Sequence, residues 1–190
     1  MLNSNEIVLV ECPRDAIQGI KEMISAEKKA NHINNLLKSN LFDWIDFGSF
    51  VSPKAIPQMA DTKEVLDKIE LNSTKLLAIV VNEKGALEAC NFDKITYLGY
   101  PFSMSEVFQK RNTQSTIEES FEKLKNIVEI SKKHAKIPVE YISMAFGNPY
   151  GEIWNKELKI QTAPTAPTDT LWELFSAEEL EIYLIENDEF

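Results

Sequence analysis

Five short apolar runs recur along the chain, at residues 7–10, 44–47, 76–81, 95–100 and 139–145. They are rich in Val, Ile and aromatic residues and do not alternate strictly with polar ones. That pattern predicts strands buried on both faces, as in a parallel sheet. Helical periodicity fills the intervals. Ser25 predicts an N-cap for a helix with Ala30, Ile33, Leu36 and Leu37 on one face. Thr62 predicts another, with Val65, Leu66 and Ile69 inward and a Glu64/Lys68 pair outward, and residues 83–89 form a short candidate. Thr116-Ile-Glu-Glu119 is a capping box ahead of the apolar face Ile117, Phe121, Leu124 and Val128. The order βαβαβαβαβ predicts an α/β fold with parallel strands.

The pattern changes after Trp154-Asn155. Residues 161–170 repeat Thr-Ala-Pro and Ala-Pro-Thr steps, a connector that cannot be helix or central strand. Ser176-Ala-Glu-Glu179 then predicts a final short helix bearing Leu180, Tyr183 and Leu184, before an acidic end. The expected division is residues 5–155 as an α/β portion and 156–190 as a divergent tail.

Composition narrows the function classes. The chain has 190 residues, 20 basic and 30 acidic, for a net charge of -10. That balance argues against nucleic acid, which needs clustered Lys and Arg, and against anionic membranes. An acidic small molecule stays compatible, because a pocket can oppose the global sign. The two cysteines, Cys12 and Cys90, make no CxxC pair, which fits a reduced intracellular protein. No secretory signal or membrane-length apolar run is visible, so a cytoplasmic location is expected.

The candidate chemistry begins where the first strand ends. Arg14 and Asp15 follow Pro13 there, and charges leaving water need partners or a metal. Asp15 suits a divalent cation and Arg14 a developing oxyanion; a salt-bridged helix start fits equally well. Asp46 closes the second strand and can bond Arg14 or a substrate, or be a solvated strand-end acid. Ser49-Phe-Val-Ser-Pro-Lys54 offers hydroxyls and Lys54 to a phosphate or carboxylate, or is a plain βα loop. Gln58 and Met59 serve packing as readily as function. Arg111-Asn112 reads first as a polar loop, and Gly147-Asn-Pro-Tyr-Gly151 first as a turn. The only histidines, His32 and His134, fall in helical patterns away from other ligand types. No His-x-His, HExxH, P-loop, GxGxxG or GxSxG occurs.

Taken in order, these segments resemble hydroxymethylglutaryl-CoA lyases. The resemblance is carried by Pro13-Arg14-Asp15 with Gln18, by Ser49-Phe-Val-Ser-Pro-Lys54 with Pro57-Gln58-Met59, by Asn112 with Ser115-Thr-Ile-Glu-Glu-Ser-Phe121, and by Gly147 with Pro149-Tyr150. It runs from Ile7 to Asn155. It implies a TIM (β/α)8-type barrel that cleaves 3-hydroxy-3-methylglutaryl-CoA to acetyl-CoA and acetoacetate with Mg²⁺ or Mn²⁺, as in leucine degradation. On that resemblance Arg14 and Asp46 are the catalytic candidates and Asp15 the metal ligand. Asp46 stands where the family has a glutamate. Gln18, Lys21, Ser49, Lys54, Asn112 and Tyr150 are the candidates for holding the CoA thioester.

The departures set further expectations. The family's His-x-His ligands, a later asparagine and its Gly-Gly-Cys-Pro loop are absent from this sequence. A full barrel takes roughly 250 residues. The chain is therefore expected to form a partial barrel with strands β1 to β5 in order, joined to an irregular tail. Its uncovered edges favour pairing into a homo-oligomer. It is also expected to hold divalent metal weakly and to show little or no lyase activity on its own, either as an impaired lyase or as a non-catalytic assembly module.

Overall fold

The computed structural model describes residues 8–153 and 181–184. The element order is β1 (Val10–Glu11), α1 (Pro13–Gln18), α2 (Ala26–Ser39), β2 (Trp44–Ser49), a 3-10 turn (Pro57–Met59), α3 (Thr62–Asp67), β3 (Lys75–Ile79), α4 (Glu83–Cys90), β4 (Ile95–Ser103), α5 (Glu106–Thr113), α6 (Ile117–Lys133), β5 (Ile137–Ser143) and β6 (Glu181–Leu184). The fold is α/β, with parallel strands alternating with helices as the apolar runs predict. Two compact units divide it. One takes the residues up to Val80 together with Lys84–Leu98; the other takes Val81–Glu83 and the residues from Gly99 onward.

In the first unit the hydrogen-bonded order is β1-β2-β3-β4. β1 and β2 run parallel with Val10 opposite Trp44, and β2 and β3 with Ile45 opposite Leu76. All of β2 is buried, which explains why its sequence does not alternate. Ile33 and Leu37 of α2 and Val65 and Leu66 of α3 are buried in the same core. Each such side chain contributes about 1.5–3 kcal/mol on leaving water. Ser25 caps α2, accepting from the Lys28 N–H. Thr62 does not cap α3, as its type suggests. Asp61 holds the cap position and pairs with the buried Lys29 at 2.7 Å. The Thr62 hydroxyl instead accepts from Ser49 N–H at 3.2 Å and donates to Met59 O at 2.8 Å. Tying β2 to the turn uses the group that would otherwise cap.

The second unit orders β4-β5-β6. Its main helix is α6, and both bonds of the Thr116/Glu119 capping box are present, at 2.9 and 3.1 Å. Ile117, Phe121, Leu124 and Val128 are all buried, as their spacing predicts. Two expectations are corrected. The stretch with Arg111 and Asn112 is helix α5, not a loop; Ser105 caps it by accepting from Phe108 N–H at 3.0 Å. Residues 181–184 form a strand parallel to β5, with Val139 opposite Glu181, rather than continuing a helix. The β5 edge supplies unpaired backbone groups, and a ladder satisfies them for both partners. The Pro-rich connector and the beginning of the expected helix lie outside the described residues.

Two local features have measurable consequences. The β2–β3 register shifts between Asp46 and Gly48, so β2 carries one extra residue there. A Cβ on Gly48 would lie 2.7 Å from Thr62 Cγ2. Gly48→Ala should therefore cost about 1–3 kcal/mol in urea unfolding. Thr62→Ser removes the clashing methyl while keeping the hydroxyl, so the double variant should recover part of that loss, and strict additivity of the two changes would refute the clash.

The second feature is Glu140 on β5. Its side chain is fully buried, and among the described residues neither carboxyl oxygen has a hydrogen-bond partner. Burial pushes the Glu140 carboxyl up from 4.5 to about 7. A raised folded-state value means the stability is fully present below pH 4.5, declines as pH rises, and levels off above pH 7. The span is on the order of 3 kcal/mol. Glu140→Gln should flatten the difference between urea melts at pH 4.5 and pH 8 by that amount. An unchanged pH dependence in the variant would show that the carboxylate finds compensation when ionised.

Candidate active site at the ends of β1 and β2

The first turn after β1 builds the site. Pro13 stands at the first helical position, where its fixed φ suits the helix and its missing N–H costs nothing. Arg14, next in line, reaches Asp46 on β2. Its Nη2 donates to Asp46 Oδ2 at 2.6 Å, and its Nε lies 3.2 and 3.1 Å from Oδ1 and Oδ2. This is a two-pronged guanidinium–carboxylate contact, stronger and more directional than a point-charge pair. The Arg14 side chain is 12% exposed and that of Asp46 is 0%. Burial is the largest influence on the Asp46 carboxyl and pushes it up; the charge and hydrogen bonds of Arg14 oppose it.

Asp15 and Gln18 complete the cluster. Arg14 Nη1 donates to Asp15 Oδ1 and to Gln18 Oε1, each at 2.9 Å, and Gln18 Nε2 donates to Asp15 Oδ1 at 2.9 Å. The Asp15 side chain is 59% exposed. Cys12 stands just before the helix. Burial first, then the Asp46 charge, push its thiol up to about 11, so it is a protonated thiol and a poor nucleophile at neutral pH.

The remaining candidates separate. Ser49 is buried at the end of β2, and its hydroxyl accepts from Val51 N–H at 3.2 Å, which shapes the loop. Lys54 and Lys21 are exposed. Gln58 holds the loop that carries Lys21: it accepts from Ile24 N–H and donates to the carbonyls of Ile20 and Glu22, all at 3.0 Å. Asn112 and Tyr150 belong to the second unit. Asn112 is exposed on α5. Tyr150 is half-buried, with the Arg111 guanidinium 4.8 Å from its ring centre.

Sequence reasoning missed Glu152 and Asn148. Glu152 accepts from the Ser105 hydroxyl and from Val107 N–H at 3.3 Å, placing a carboxylate at the start of α5, where the helix dipole favours it. Asn148 brackets the same turn, accepting from the N–H groups of Tyr150 and Glu152 at 3.0 and 3.1 Å. The Asn-Pro step was the available signal for Asn148; Glu152 carries none, since its partner lies 47 positions away.

Whether these residues suit a divalent cation follows from the donor set. Asp15 offers one half-exposed hard oxygen. Among the described residues no group of three or more His, Cys, Asp or Glu side chains is placed to hold a metal ion. A cation centre needs more ligands than that, so the described residues alone do not fit one.

No protein-family model matches the chain. It is 34% identical over 147 residues to the 3-hydroxy-3-isohexenylglutaryl-CoA/hydroxy-methylglutaryl-CoA lyase of Pseudomonas aeruginosa, covering 76% of this chain and 48% of that one. It is 35% identical over 150 residues to the mitochondrial hydroxymethylglutaryl-CoA lyase of Macaca fascicularis, covering 76% and 45%. Among solved structures, the hydroxymethylglutaryl-CoA lyase of Pseudomonas aeruginosa matches with a TM-score of 0.74 at 31% identity, over 83% of this chain and 53% of that one. An HMG-CoA lyase from Acinetobacter baumannii, in complex with coenzyme A and 3-methylmalate, matches with a TM-score of 0.73 at 26% identity, over 92% and 65%. The chain spans about half the length of the curated relatives it matches. No helix among the described residues is long and apolar enough to cross a membrane. The parallel α/β order is that of these TIM-barrel neighbours, and with relatives 34% and 35% identical over 76% of its length, the chain belongs to the hydroxymethylglutaryl-CoA lyase family.

Proposed function

We propose that this chain carries the enolate-stabilising part of a hydroxymethylglutaryl-CoA lyase site, acting on 3-hydroxy-3-methylglutaryl-CoA to give acetyl-CoA and acetoacetate. The observation that supports it best is the Arg14 guanidinium, clamped by the buried Asp46 beside the exposed Asp15. The reaction needs such a group. Loss of the proton from the tertiary alcohol lets its oxygen form the ketone of acetoacetate. The carbon–carbon bond breaks, and its electron pair passes to the thioester enolate, which is then protonated to acetyl-CoA. Arg14 neutralises the charge gathering on the thioester oxygen, and Asp46 holds it in register, with no reorganisation left for the moment of reaction. Lys21 and Lys54, both exposed on loops of the same unit, suit the negative charges of a CoA thioester, and Ser49 shapes the loop that carries Lys54.

The family is divalent-metal dependent. In this chain Mg²⁺ or Mn²⁺ would find a first ligand in Asp15, and such a site is open and weak. The location put forward with this reading is cytoplasmic, the one named for the relative from Rattus norvegicus, whereas the relative from Macaca fascicularis is named mitochondrial.

Purified protein supplied with 3-hydroxy-3-methylglutaryl-CoA should release acetoacetate slowly, with the rate still rising at roughly millimolar Mn²⁺. Arg14→Met should lower that rate by about 10²–10³-fold, the usual cost of one oxyanion donor. Absence of acetoacetate above the uncatalysed background at every metal concentration would refute the proposal. Asp46→Asn should lose activity as well, and should also cost about 3 kcal/mol of stability in urea melts, because it leaves the guanidinium only the exposed Asp15 as counter-charge. Unaltered stability would mean that water replaces Asp46 at no cost.

A further inference from the structure

Gln18 lies one helical turn beyond Arg14, and its amide is committed within α1. Its Oε1 accepts from Arg14 Nη1, its Nε2 donates to Asp15 Oδ1, and Arg14 Nη1 donates to that same Oδ1, all at 2.9 Å. The three bonds close a ring through three side chains of one turn. On its other edge the guanidinium is gripped through Nε and Nη2 by Asp46 of β2. Arg14 is thus held on two edges by two elements, and its plane cannot turn without breaking bonds on both. The ring also makes the two oxygens of Asp15 unequal. Oδ1 takes both donors, whereas Oδ2 accepts no hydrogen bond among the described residues.

We infer that Gln18 is a positioning residue. It fixes the Nη1 edge of Arg14 and turns Asp15 so that Oδ2 is the oxygen presented outward. This rests on the lyase reading for its catalytic consequence, but not for its geometry. It assigns Gln18 a role different from contact with substrate: both ring bonds hold its amide toward Arg14 and Asp15. Orientation matters because a misplacement of about 1 Å at a reacting centre can cost roughly 10²-fold in rate.

The test compares the full chain with Gln18→Met, which keeps side-chain length without the bonds, and Gln18→Glu, which keeps an acceptor for Nη1 but loses the donor to Asp15. Rotation of the Arg14 guanidinium about its Cζ–Nη bonds is read by nitrogen-15 NMR, with the signal assigned through Arg14→Lys. Thermal melts establish that each variant folds. Gln18→Met should speed the rotation by roughly tenfold, the scale of one lost charge-assisted bond, and Gln18→Glu should leave it slow. In acetoacetate assays Gln18→Met should lower kcat by about tenfold with KM for the thioester within about twofold, the signature of lost orientation rather than lost binding. A raised KM with unchanged kcat and unchanged rotation would overturn the inference in favour of direct substrate contact. Unchanged rotation in Gln18→Met, with or without altered kinetics, would overturn it as well. If the unsubstituted protein makes no acetoacetate, the lyase reading fails, and the guanidinium measurement alone still decides the role of Gln18.

Discussion

The first unit is organised around one requirement: a carboxylate with no solvent exposure has to be matched by a cation. Asp46 lies inside a strand buried along its whole length, where an isolated ion would cost several kcal/mol. Arg14 meets that requirement, and meeting it dictates much else. The helix must begin immediately after β1 so that the second residue of α1 faces β2. Pro13 makes that start abrupt, and the parallel β1–β2 register brings the two strand ends level. Such a pair adds little net stability over a well-packed apolar one, since desolvation consumes most of the Coulomb gain.

Much of this was legible in the chain. Long apolar runs without alternation marked the buried strands, and Thr116-Ile-Glu-Glu119 marked α6 because a capping box is a local device whose two bonds span three residues. Arg14, Asp15 and Asp46 stood out as charges at the ends of apolar runs, but the same pattern suited a salt-bridged helix start and a solvated acid; only the fold shows Asp46 buried and paired with Arg14. The errors share one cause. Thr62 has the side chain of a cap but spends it on Ser49, across 13 positions. Residues 181–184 can be helix or strand by local preference, and the free edge of β5 decides. Glu140 was hidden inside an apolar run, where one acid does not disturb the pattern. Long-range partners settle each of these, and no local spacing encodes them.

The identity of the residue at position 46 connects backbone geometry to the site. An aspartate is one methylene shorter than a glutamate, so its carboxylate reaches less far from the strand than a glutamate's would. Contact at 2.6 Å is nonetheless made, and it is made where β2 departs from regular pairing, between Asp46 and Gly48. An extra residue in a strand bends it and re-aims its side chains. Gly48 lets that bend lie close against Thr62, whose hydroxyl then fixes Ser49 in place. The position of the shorter acid thus depends on a glycine two residues away and on the start of α3. On this view the packing of Thr62 against β2 is part of how Arg14 is held, because any relaxation of the bend would withdraw the Asp46 carboxylate from the guanidinium. What the shorter side chain cannot span, the irregular strand supplies.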